Sequence, residues 1–548
     1  MGPELFDQIR HRWRSPVFGG GLYSWSLRAP APERLVVKPV DPWPGNIRTG
    51  AVLCEGIFIK GGDRLELYGP CWQPLGISKI WFDHLHGFSW LRDLRAFHQS
   101  GGGEKARKQA QALITDWAQR HTRWDKDIWR PDLAGQRVSI WIALYEFFGA
   151  AADESFQDLF FESLGRQALH LSRALPGSLS GEALLQGAKG LLYAGMAFEG
   201  REAWIEQALD IFSEETDRQV LGDGCHVSRS PSQLLNVLQL FLDVRSALSA
   251  GGYPLPEKIQ HAIDRMGPAL RFFRYNDRHF GVFNGAQEGD TALIDAVLGQ
   301  TGTKSRILES LPCAGYERVS MGRTFIMFDG GAPPGYPYDA HAHAAPLSFE
   351  LCYGKERVFV NCGSHPVSPE WVDALRATAA HNALSMDYRN TAEIRADGHF
   401  GRRPRNVLIC RENAKQACLI EASHDGYVPL NGMTHRRRLY VSDQGQDIRG
   451  EELLSAEIDP PAPHDIAVRF HLHPRVLVSL ICDGQEALLR LPGGSGWRFR
   501  HGGGHLALED SLYLGQGCTP RKTKQLVIYA QAVSSRSVIK WALRREGA

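Results

Sequence analysis

Three histidines in the second half of the chain are the side chains best suited to chemistry. His341 and His343 stand two residues apart in Asp339-Ala340-His341-Ala342-His343, just before the strand-like stretch 347–351. Residues two apart lie on the same face of a strand, so the spacing predicts that both rings point the same way. His381 follows in Thr378-Ala379-Ala380-His381-Asn382. Because imidazoles on neighbouring strands hold metal ions or move protons, we expect the function to lie here.

A second group of candidates lies in the segment Asp223-Gly224-Cys225-His226-Val227-Ser228-Arg229-Ser230-Pro231. His226 suits proton transfer, and the planar fork of Arg229 suits a carboxylate. A structural role in fixing the loop is the alternative for both residues. Asn284, in Phe283-Asn284-Gly285, is a candidate carboxylate ligand, and an Asn-Gly turn explains it equally well.

Aromatic residues give a third group. Tyr338 and Tyr427 are candidate phenols for proton transfer, although most tyrosines pack and donate one hydrogen bond. Of the 14 tryptophans, 11 precede residue 205, and Trp81, Trp124 and Trp129 are candidates to stack on sugar rings. A place in the core is the alternative for these tryptophans. The run 435–438, His-Arg-Arg-Arg, is interpreted as a solvated strand face.

The elements that must position these residues change type near residue 310. From about 81 to 310, apolar residues recur at i, i+3, i+4 and i+7, which is typical of amphipathic helices. Beyond 315 the period is two and turns are frequent, which favours short antiparallel strands. The predicted helices are 106–120, 138–149, 156–175, 182–198, 202–216, 233–249 and 257–275. The predicted strands are 357–361, 417–422, 437–441, 466–473, 476–480, 487–491 and 525–531.

The predicted fold class is therefore multidomain α+β, an N-terminal (α/α) toroid followed by an antiparallel β-sandwich. Residues 1–80 are rich in proline and glycine and are predicted to form an arm with short strands. The helical domain is predicted over 81–312 and the sandwich over 313–548.

This order of domains, with His-x-His opening the sandwich, resembles the heparinase II/III-like family of polysaccharide lyases. The resemblance is most specific over residues 339–386, in Asp339-Ala340-His341-Ala342-His343, Leu347-Ser348-Phe349-Glu350, Val358-Phe359-Val360-Asn361-Cys362-Gly363 and Thr378-Ala379-Ala380-His381-Asn382. It implies cleavage of a uronate-containing polysaccharide by β-elimination. That reaction needs a neutralised carboxylate, a base for the C5 proton and an acid for the leaving oxygen.

The resemblance also implies roles for single residues. His341 matches the catalytic histidine of the family, whereas His343 and His381 match two ligands of a structural zinc ion. Asn361 stands where the family usually has a zinc-binding aspartate. An amide oxygen can bind zinc but brings no negative charge, so a weaker zinc site is expected.

Two positions depart from the family pattern. Gln233 takes the place of a tyrosine that acts as base or acid, and it is kept here as a candidate substrate ligand. The family's Asn-His pair falls near Glu182-Ala183. Neither role is carried over, so either other residues replace them or the substrate or reaction differs.

The expected function is that of a lyase acting on an acidic polysaccharide or oligosaccharide. One alternative is a non-catalytic glycan-binding protein of the same fold. Another is a glycoside hydrolase that uses carboxylates such as Glu182 or Asp223. The net charge of +1 gives no indication of a nucleic-acid partner, and no long apolar run predicts a membrane span. The N-terminus has no signal-peptide pattern, which predicts a cytoplasmic location. A periplasmic location stays open if the chain is trimmed, and the oligomeric state is also open.

Overall fold

The computed structural model describes residues 21–28, 32–60, 63–66, 72, 76–302, 307–365, 369–414 and 417–547. These residues divide into two compact units. The first contains the described residues up to Gln219 together with Asn236–Asp264 and Asp295–Gly302. The second contains Val220–Leu235, Arg265–Ile294 and the described residues from 307 onward. No described helix is both long enough and apolar enough to cross a membrane.

The first unit is mainly helical. Its longest early helix, Glu154–Ala174, shows why: the side chain of Asp153 accepts a hydrogen bond from the Phe156 N–H at its start. Phe160, Leu164 and Leu171 then recur at helical spacing and are buried. The helices of the chain up to residue 302 are Gly21–Ser26, Ile47–Leu53, Lys79–Gly87, Leu91–Phe97, Gly103–Arg120, Pro131–Ala143, Tyr145–Phe148, Glu154–Ala174, Gly181–Ala197, Glu202–Gln219, Pro231–Gly251, Glu257–Phe272 and Thr291–Gln300.

All seven predicted helices are present, six of them within a few residues of the predicted ends. The prediction for 138–149 is wrong at its start, because the helix begins at Pro131 and breaks after Ala143. Proline at the first helical position lacks an N–H that would be unpaired there anyway, so Pro131 begins the helix. A two-stranded ladder joins β1 (Ile57–Lys60) to β2 (Asp63–Glu66) in the predicted arm.

The second unit contains three antiparallel sheets. Their strands are β3 (Ser310–Leu311), β4 (Tyr316–Met321), β5 (Thr324–Asp329), β6 (Phe349–Tyr353), β7 (Glu356–Phe359), β8 (Leu384–Met386), β9 (Val407–Ala414), β10 (Ala417–Tyr427), β11 (Met433–Ser442), β12 (Asp447–Ser455), β13 (His464–His471), β14 (Leu477–Ile481), β15 (Glu486–Arg490), β16 (Gly496–Gly502), β17 (His505–Tyr513), β18 (Arg521–Ala532) and β19 (Arg536–Arg545). The helices Pro369–Arg376 and Val428–Asn431 interrupt them. All seven predicted strands are present, with shifted ends.

The order of the large sheet is β14-β15-β16-β19-β12-β11-β10-β9, that of the second is β17-β18-β13-β8, and that of the third is β3-β4-β5-β6-β7. One apolar core joins all three sheets. Phe349 of β6 stacks on Trp541 of β19 at 5.6 Å, and Phe470 of β13 meets the same indole at 4.9 Å. This core fixes the ends of β6 and β8, from which the loops of the candidate site begin.

Candidate functional site

His341 and His343 lie in a loop rather than in a strand. Residues 336–341 form turns, in which the Ala342 N–H donates to the Asp339 carbonyl at 3.0 Å, and β6 begins only at Phe349. His341 is exposed, whereas His343 is only 6% exposed. The prediction that both rings share one face is therefore wrong, because strand alternation does not hold in a turn.

Arg376 holds this loop in place, and no sequence pattern singled it out. Its guanidinium donates to the carbonyls of Ala342 at 2.9 Å, Asp339 at 3.0 Å and Gly398 at 2.7 Å. The Asp339 carboxylate in turn accepts from the Phe400 N–H at 2.7 Å. Partial desolvation of the ring where it faces the loop, and the neighbouring Arg376 charge, lower the pKa of His341, so its imidazole is neutral near pH 7.

His343 is tied to the turn at Asn284 and Gly285. The His343 N–H donates to Asn284 Oδ1 at 3.1 Å. The Asn284 N–H faces His343 Nδ1 at 3.1 Å, and the Gly285 N–H faces Nε2 at 2.8 Å. Gly285 has φ of +77° and lies so close to His341 that a Cβ would come within 2.8 Å of its Cβ and carbonyl oxygen. Only glycine fits there. Asn284 therefore stabilises the turn through its hydrogen bonds with His343, as the Asn-Gly turn alternative expected.

The three residues expected to bind zinc do lie together. The rings of His343 and His381 are 4.2 Å apart, and Asn361 accepts the N–H of Asn382, the neighbour of His381, at 3.3 Å. Their donor set nevertheless does not fit a zinc site. Both nitrogens of His343 face backbone N–H groups, and the nearby Glu350 carboxylate is engaged by the Asn361 N–H at 3.0 Å and the Tyr275 hydroxyl at 2.8 Å. His381 Nδ1 and Asn361 Nδ2 are buried without partners, and the described residues contain no group of three His, Cys, Asp or Glu able to hold a metal ion.

A pocket of about 290 Å³ opens beside His341. This volume is at the small end for ligand pockets, which suits a single sugar unit. His341, Gln233 and Arg376 all line it, so the second unit brings together three residues far apart in sequence. The remaining lining residues are Ser230, Ser232, Gly285, Gln287, His343, Ser364, His365, Val372 and Leu375.

Two pocket residues that sequence reasoning missed are Gln287 and His365. The Gln287 amide donates to the carbonyls of Ser364 at 3.0 Å and Gly517 at 2.7 Å, which orients it at the pocket wall. His365 supplies a third imidazole to the same cavity, beside those of His341 and His343. Its surroundings, Gly363-Ser364-His365, carry no pattern that separates it from an ordinary loop histidine.

Arg229 has a different place from the expected one. It is buried in a left-handed conformation with φ of +60°. Its guanidinium forms an ion pair with Asp329 and donates to the carbonyls of Ala314 at 2.7 Å and Ala332 at 3.1 Å. The fork predicted to bind a substrate carboxylate is occupied by an internal one, so the loop-fixing alternative describes Arg229 better.

The other candidates are dispersed. His226 is buried, its Nδ1 lies 2.7 Å from Ser228 Oγ, and burial lowers its pKa to about 3. Tyr338 meets the His226 ring edge-on at 6.0 Å. Neither residue lines the His341 pocket. Tyr427 is wholly buried and donates to the Leu384 carbonyl at 2.9 Å, so it is a core tyrosine and not an available acid.

The three tryptophans belong to the first unit. Trp129 is 2% exposed and packs edge-on against His170 at 5.7 Å, which makes it a core residue. Trp81 and Trp124 are half-buried. A role for these two rings in stacking on sugars stays a prediction.

A buried polar network supports the loops of His343 and His381 from below. Arg437 donates to the carbonyls of Leu347 at 2.7 Å and Asn382 at 2.6 Å, and its Nε donates to Glu452 at 2.7 Å. Glu452 also accepts from His435 at 2.7 Å and Trp541 at 3.1 Å. Burial alone would raise the pKa of Glu452, but Arg437 and the His435 hydrogen bond lower it to about 2.

The interpretation of 435–438 as a solvated face is wrong for half of its residues. His435 and Arg437 alternate with Arg436 and Arg438, and they point into the core while the other two point outward. The alternation is visible in the sequence. The carboxylate of Glu452, which offsets the cost of burying Arg437, cannot be recognised from the local sequence, because it lies fifteen residues away.

Two family models match the chain. The heparinase II/III N-terminus model matches residues 72–303, and the heparinase II/III-like C-terminal model matches residues 303–542. A relative named FtsZ-localized protein C, from Caulobacter vibrioides, is 31% identical over 96% of this chain and 92% of its own. A heparin-sulfate lyase from Pedobacter heparinus is 24% identical over 57% of this chain and 53% of its own.

Solved structures agree with the family models. A heparinase III structure superposes with a TM-score of 0.71 at 15% identity, covering 89% of this chain and 80% of its own. Heparan sulfate lyase HepC from Pedobacter heparinus gives a TM-score of 0.62 at 17% identity, covering 95% and 87%. At these identities the likeness concerns the fold, and it confirms the predicted toroid followed by an antiparallel β-sandwich. With both family models matched, the chain belongs to the heparinase II/III-like family.

Proposed function

We propose that this protein is a polysaccharide lyase that cleaves a uronate-containing acidic glycan by β-elimination, with His341 as a proton-transfer residue. One observation carries the proposal. The exposed imidazole of His341 shares a pocket of about 290 Å³ with the cation of Arg376 and the amide of Gln233. Family membership favours an acidic polysaccharide as the substrate.

The chemistry follows from these neighbours. The positive guanidinium of Arg376 neutralises a uronate carboxylate electrostatically. This stabilises the negative charge that develops when the C5 proton leaves, so the C5 proton becomes more acidic. Arg376 uses three of its five N–H groups on loop carbonyls and lies 4.0 Å from the exposed Asp373 carboxylate, with which a substrate carboxylate would compete. A neutral His341 can then remove the C5 proton. His365, which lines the same pocket, is the proposed acid for the leaving oxygen, since Gln233 has no ionisable group.

A second candidate function is glycan binding without turnover. Gln233 in the place of a tyrosine favours it, because an amide forms hydrogen bonds but transfers no proton at neutral pH. The name of the Caulobacter vibrioides relative, FtsZ-localized protein C, also describes where that protein is found and not a reaction. In that case the pocket binds the glycan without cleaving it, and binding holds the protein where the glycan is.

Hydrolysis has less support than either. A glycoside hydrolase needs two carboxyl groups that flank the scissile bond. Among the described residues, those lining the His341 pocket include no Asp or Glu. Asp223 accepts the N–H groups of Cys225 at 3.0 Å and Ala314 at 2.9 Å, which is a turn-forming role.

The proposal also covers the metal and the location. We infer that the His343, His381 and Asn361 cluster orders its loops through hydrogen bonds, without tightly bound zinc. The mechanism above therefore uses only protein side chains. The cytoplasm is the proposed compartment, with the periplasm as the alternative.

The test measures the product. β-Elimination creates a C4–C5 double bond that absorbs in the ultraviolet, and hydrolysis adds one water with no such absorbance. Purified protein is incubated with polyuronates, glycosaminoglycans and their oligosaccharides, and product masses are recorded. Unsaturated products support the lyase proposal. Saturated products one water heavier would establish hydrolysis, and binding without any product would favour the second candidate.

A further inference from the structure

A cationic groove lies on the outer face of the eight-stranded sheet, and nothing in the proposed reaction uses it. Its volume is about 620 Å³. The side chains of Arg438, Arg449, Arg500, Lys540 and Arg544 line it, with Glu451 as the single carboxylate of the lining. Asp447, Glu421 and Glu486 at its edge pair with several of these cations, so the groove is an array of exposed ion pairs in which five cations meet four carboxylates.

Strand register places these cations in a regular array. Arg438 and Lys540 are the cross-strand neighbours of Glu451, one on each side. Arg449 and Arg500 flank Ala542 in the same way, one row further along the strands. The two cations of each pair are therefore separated by two strand spacings, about 10 Å. The two pairs are about 7 Å apart along the strands. Rigid strands hold the charges at this spacing before any ligand arrives.

The cations of the groove pair with carboxylates of the same sheet, among them Arg438 with Glu421, and Arg500 with Glu486 at 2.8 Å. Arg438 and Lys540 share Glu451, at 3.4 and 3.6 Å. Arg449 and Arg544 share Asp447, at 2.7 and 3.5 Å. The cationic side chains stay 42–69% exposed. Exposed pairs of this kind are weak, so an incoming anion can compete for the guanidinium groups.

The position of the groove on the sheet limits the kind of ligand. It lies over β16, β19, β12 and β11, each of which has a neighbouring strand on both sides. The backbone groups of these strands are therefore paired within the sheet, and an extended peptide cannot add to it as a further strand. What remains for recognition is an array of guanidinium forks, which suit carboxylates and sulfates, around the half-buried ring of Tyr440.

From this array we infer that the groove is a second glycan-binding site, which holds a stretch of carboxylated or sulfated polysaccharide away from the His341 pocket. The two sites share no lining residue. The choice of a glycan rests on the proposed function, whereas the preference for a polyanion rests on the groove itself. The groove raises the local concentration of long chains, and short oligosaccharides reach the pocket without it.

The test compares two matched triple variants. One carries Arg449→Gln, Arg500→Gln and Lys540→Gln in the groove. The control carries Arg490→Gln, Lys522→Gln and Arg536→Gln, which removes three exposed cations of the same unit outside the groove. Binding of heparin and of a polyuronate is measured by titration calorimetry at several salt concentrations. Dextran serves as the uncharged polymer, poly-glutamate of equal charge as the peptide, and melting curves confirm folding.

The groove variant is expected to bind both acidic glycans roughly 10- to 100-fold more weakly, with a shallower salt dependence, while the control variant binds like wild type. Equal losses in both variants would overturn the inference, because binding would then follow total charge. Poly-glutamate bound as tightly as heparin in the same groove would also overturn it, in favour of an acidic protein partner. Since binding is measured without turnover, an absence of lyase activity leaves this test intact.

Discussion

Replacing Arg437 by methionine tests the buried network beneath the candidate site. Arg437 is 0% exposed and donates to Glu452 and to the carbonyls of Leu347 and Asn382. Methionine removes all three hydrogen bonds and leaves the Glu452 carboxylate without its guanidinium. Removing one partner of a buried ion pair costs about 3–5 kcal/mol. At about 2–4 °C per kcal/mol for large domains, Tm falls by roughly 10 °C.

The assay is thermal unfolding followed by circular dichroism, with Arg436→Met as the matched control. Arg436 is the neighbouring arginine on the outer face and pairs with Glu421 at 3.3 Å, so its loss is expected to cost less than about 1 kcal/mol. Arg437→Met combined with Glu452→Gln should recover part of the lost stability, because the unpaired charge is gone. If Arg437→Met changed Tm no more than Arg436→Met, the argument that this network supports the site would be refuted.

Three further predictions concern the metal cluster, pH and Arg229. Asn361→Asp places a buried carboxylate next to the Asn382 N–H, one residue from His381. Tm of this variant is expected to fall in EDTA and to recover with zinc, and wild-type Tm is expected to be the same in both. A zinc-dependent Tm in wild type would contradict the proposed metal-free cluster. The pKa of Glu452 is lowered from 4.5 to about 2, so its contribution of about 3 kcal/mol is present above pH 4.5 and is lost as pH falls through 2. Denaturant titrations between pH 6 and 2 should therefore show a smaller loss of stability for Glu452→Gln than for wild type, and parallel losses would show that Glu452 does not carry this pH dependence. Arg229→Ala is expected to lower the free energy of unfolding by about 3–5 kcal/mol, since it leaves Asp329 buried and unpaired. A variant that kept full stability and lost only glycan affinity would restore Arg229 as a substrate ligand.

Much of the fold could be predicted from sequence because hydrophobic period is a local property. The helix Glu202–Gln219 and the strand Met433–Ser442 each show their period within a single segment. Strand alternation failed at His341 and His343, since the turn that separates their orientations depends on hydrogen bonds from Arg376, more than thirty residues away. No local pattern contains such a contact.

The candidate site was predictable only where a motif marked it. His341 and Gln233 were identified from the resemblance and do line one pocket, whereas Arg376 and His365 lie outside any motif and were missed. Arg229 was chosen because a guanidinium suits a carboxylate. In the structure the Arg229 guanidinium does bind a carboxylate, but it is that of Asp329, one hundred positions further along the chain. Residue type indicated the kind of partner correctly, and only the fold could identify which partner it is.

Whether His341 performs elimination chemistry is decided by one kinetic comparison. Ultraviolet absorbance of the unsaturated product is followed for wild type, His341→Ala and the control His505→Ala on the best polyuronate or glycosaminoglycan substrate. His341 and His505 are both exposed, so neither substitution is expected to disturb the fold. Wild type and His505→Ala are expected to turn over the substrate, and His341→Ala is expected to lose about 100-fold or more of this activity. Equal turnover by all three proteins would contradict this expectation.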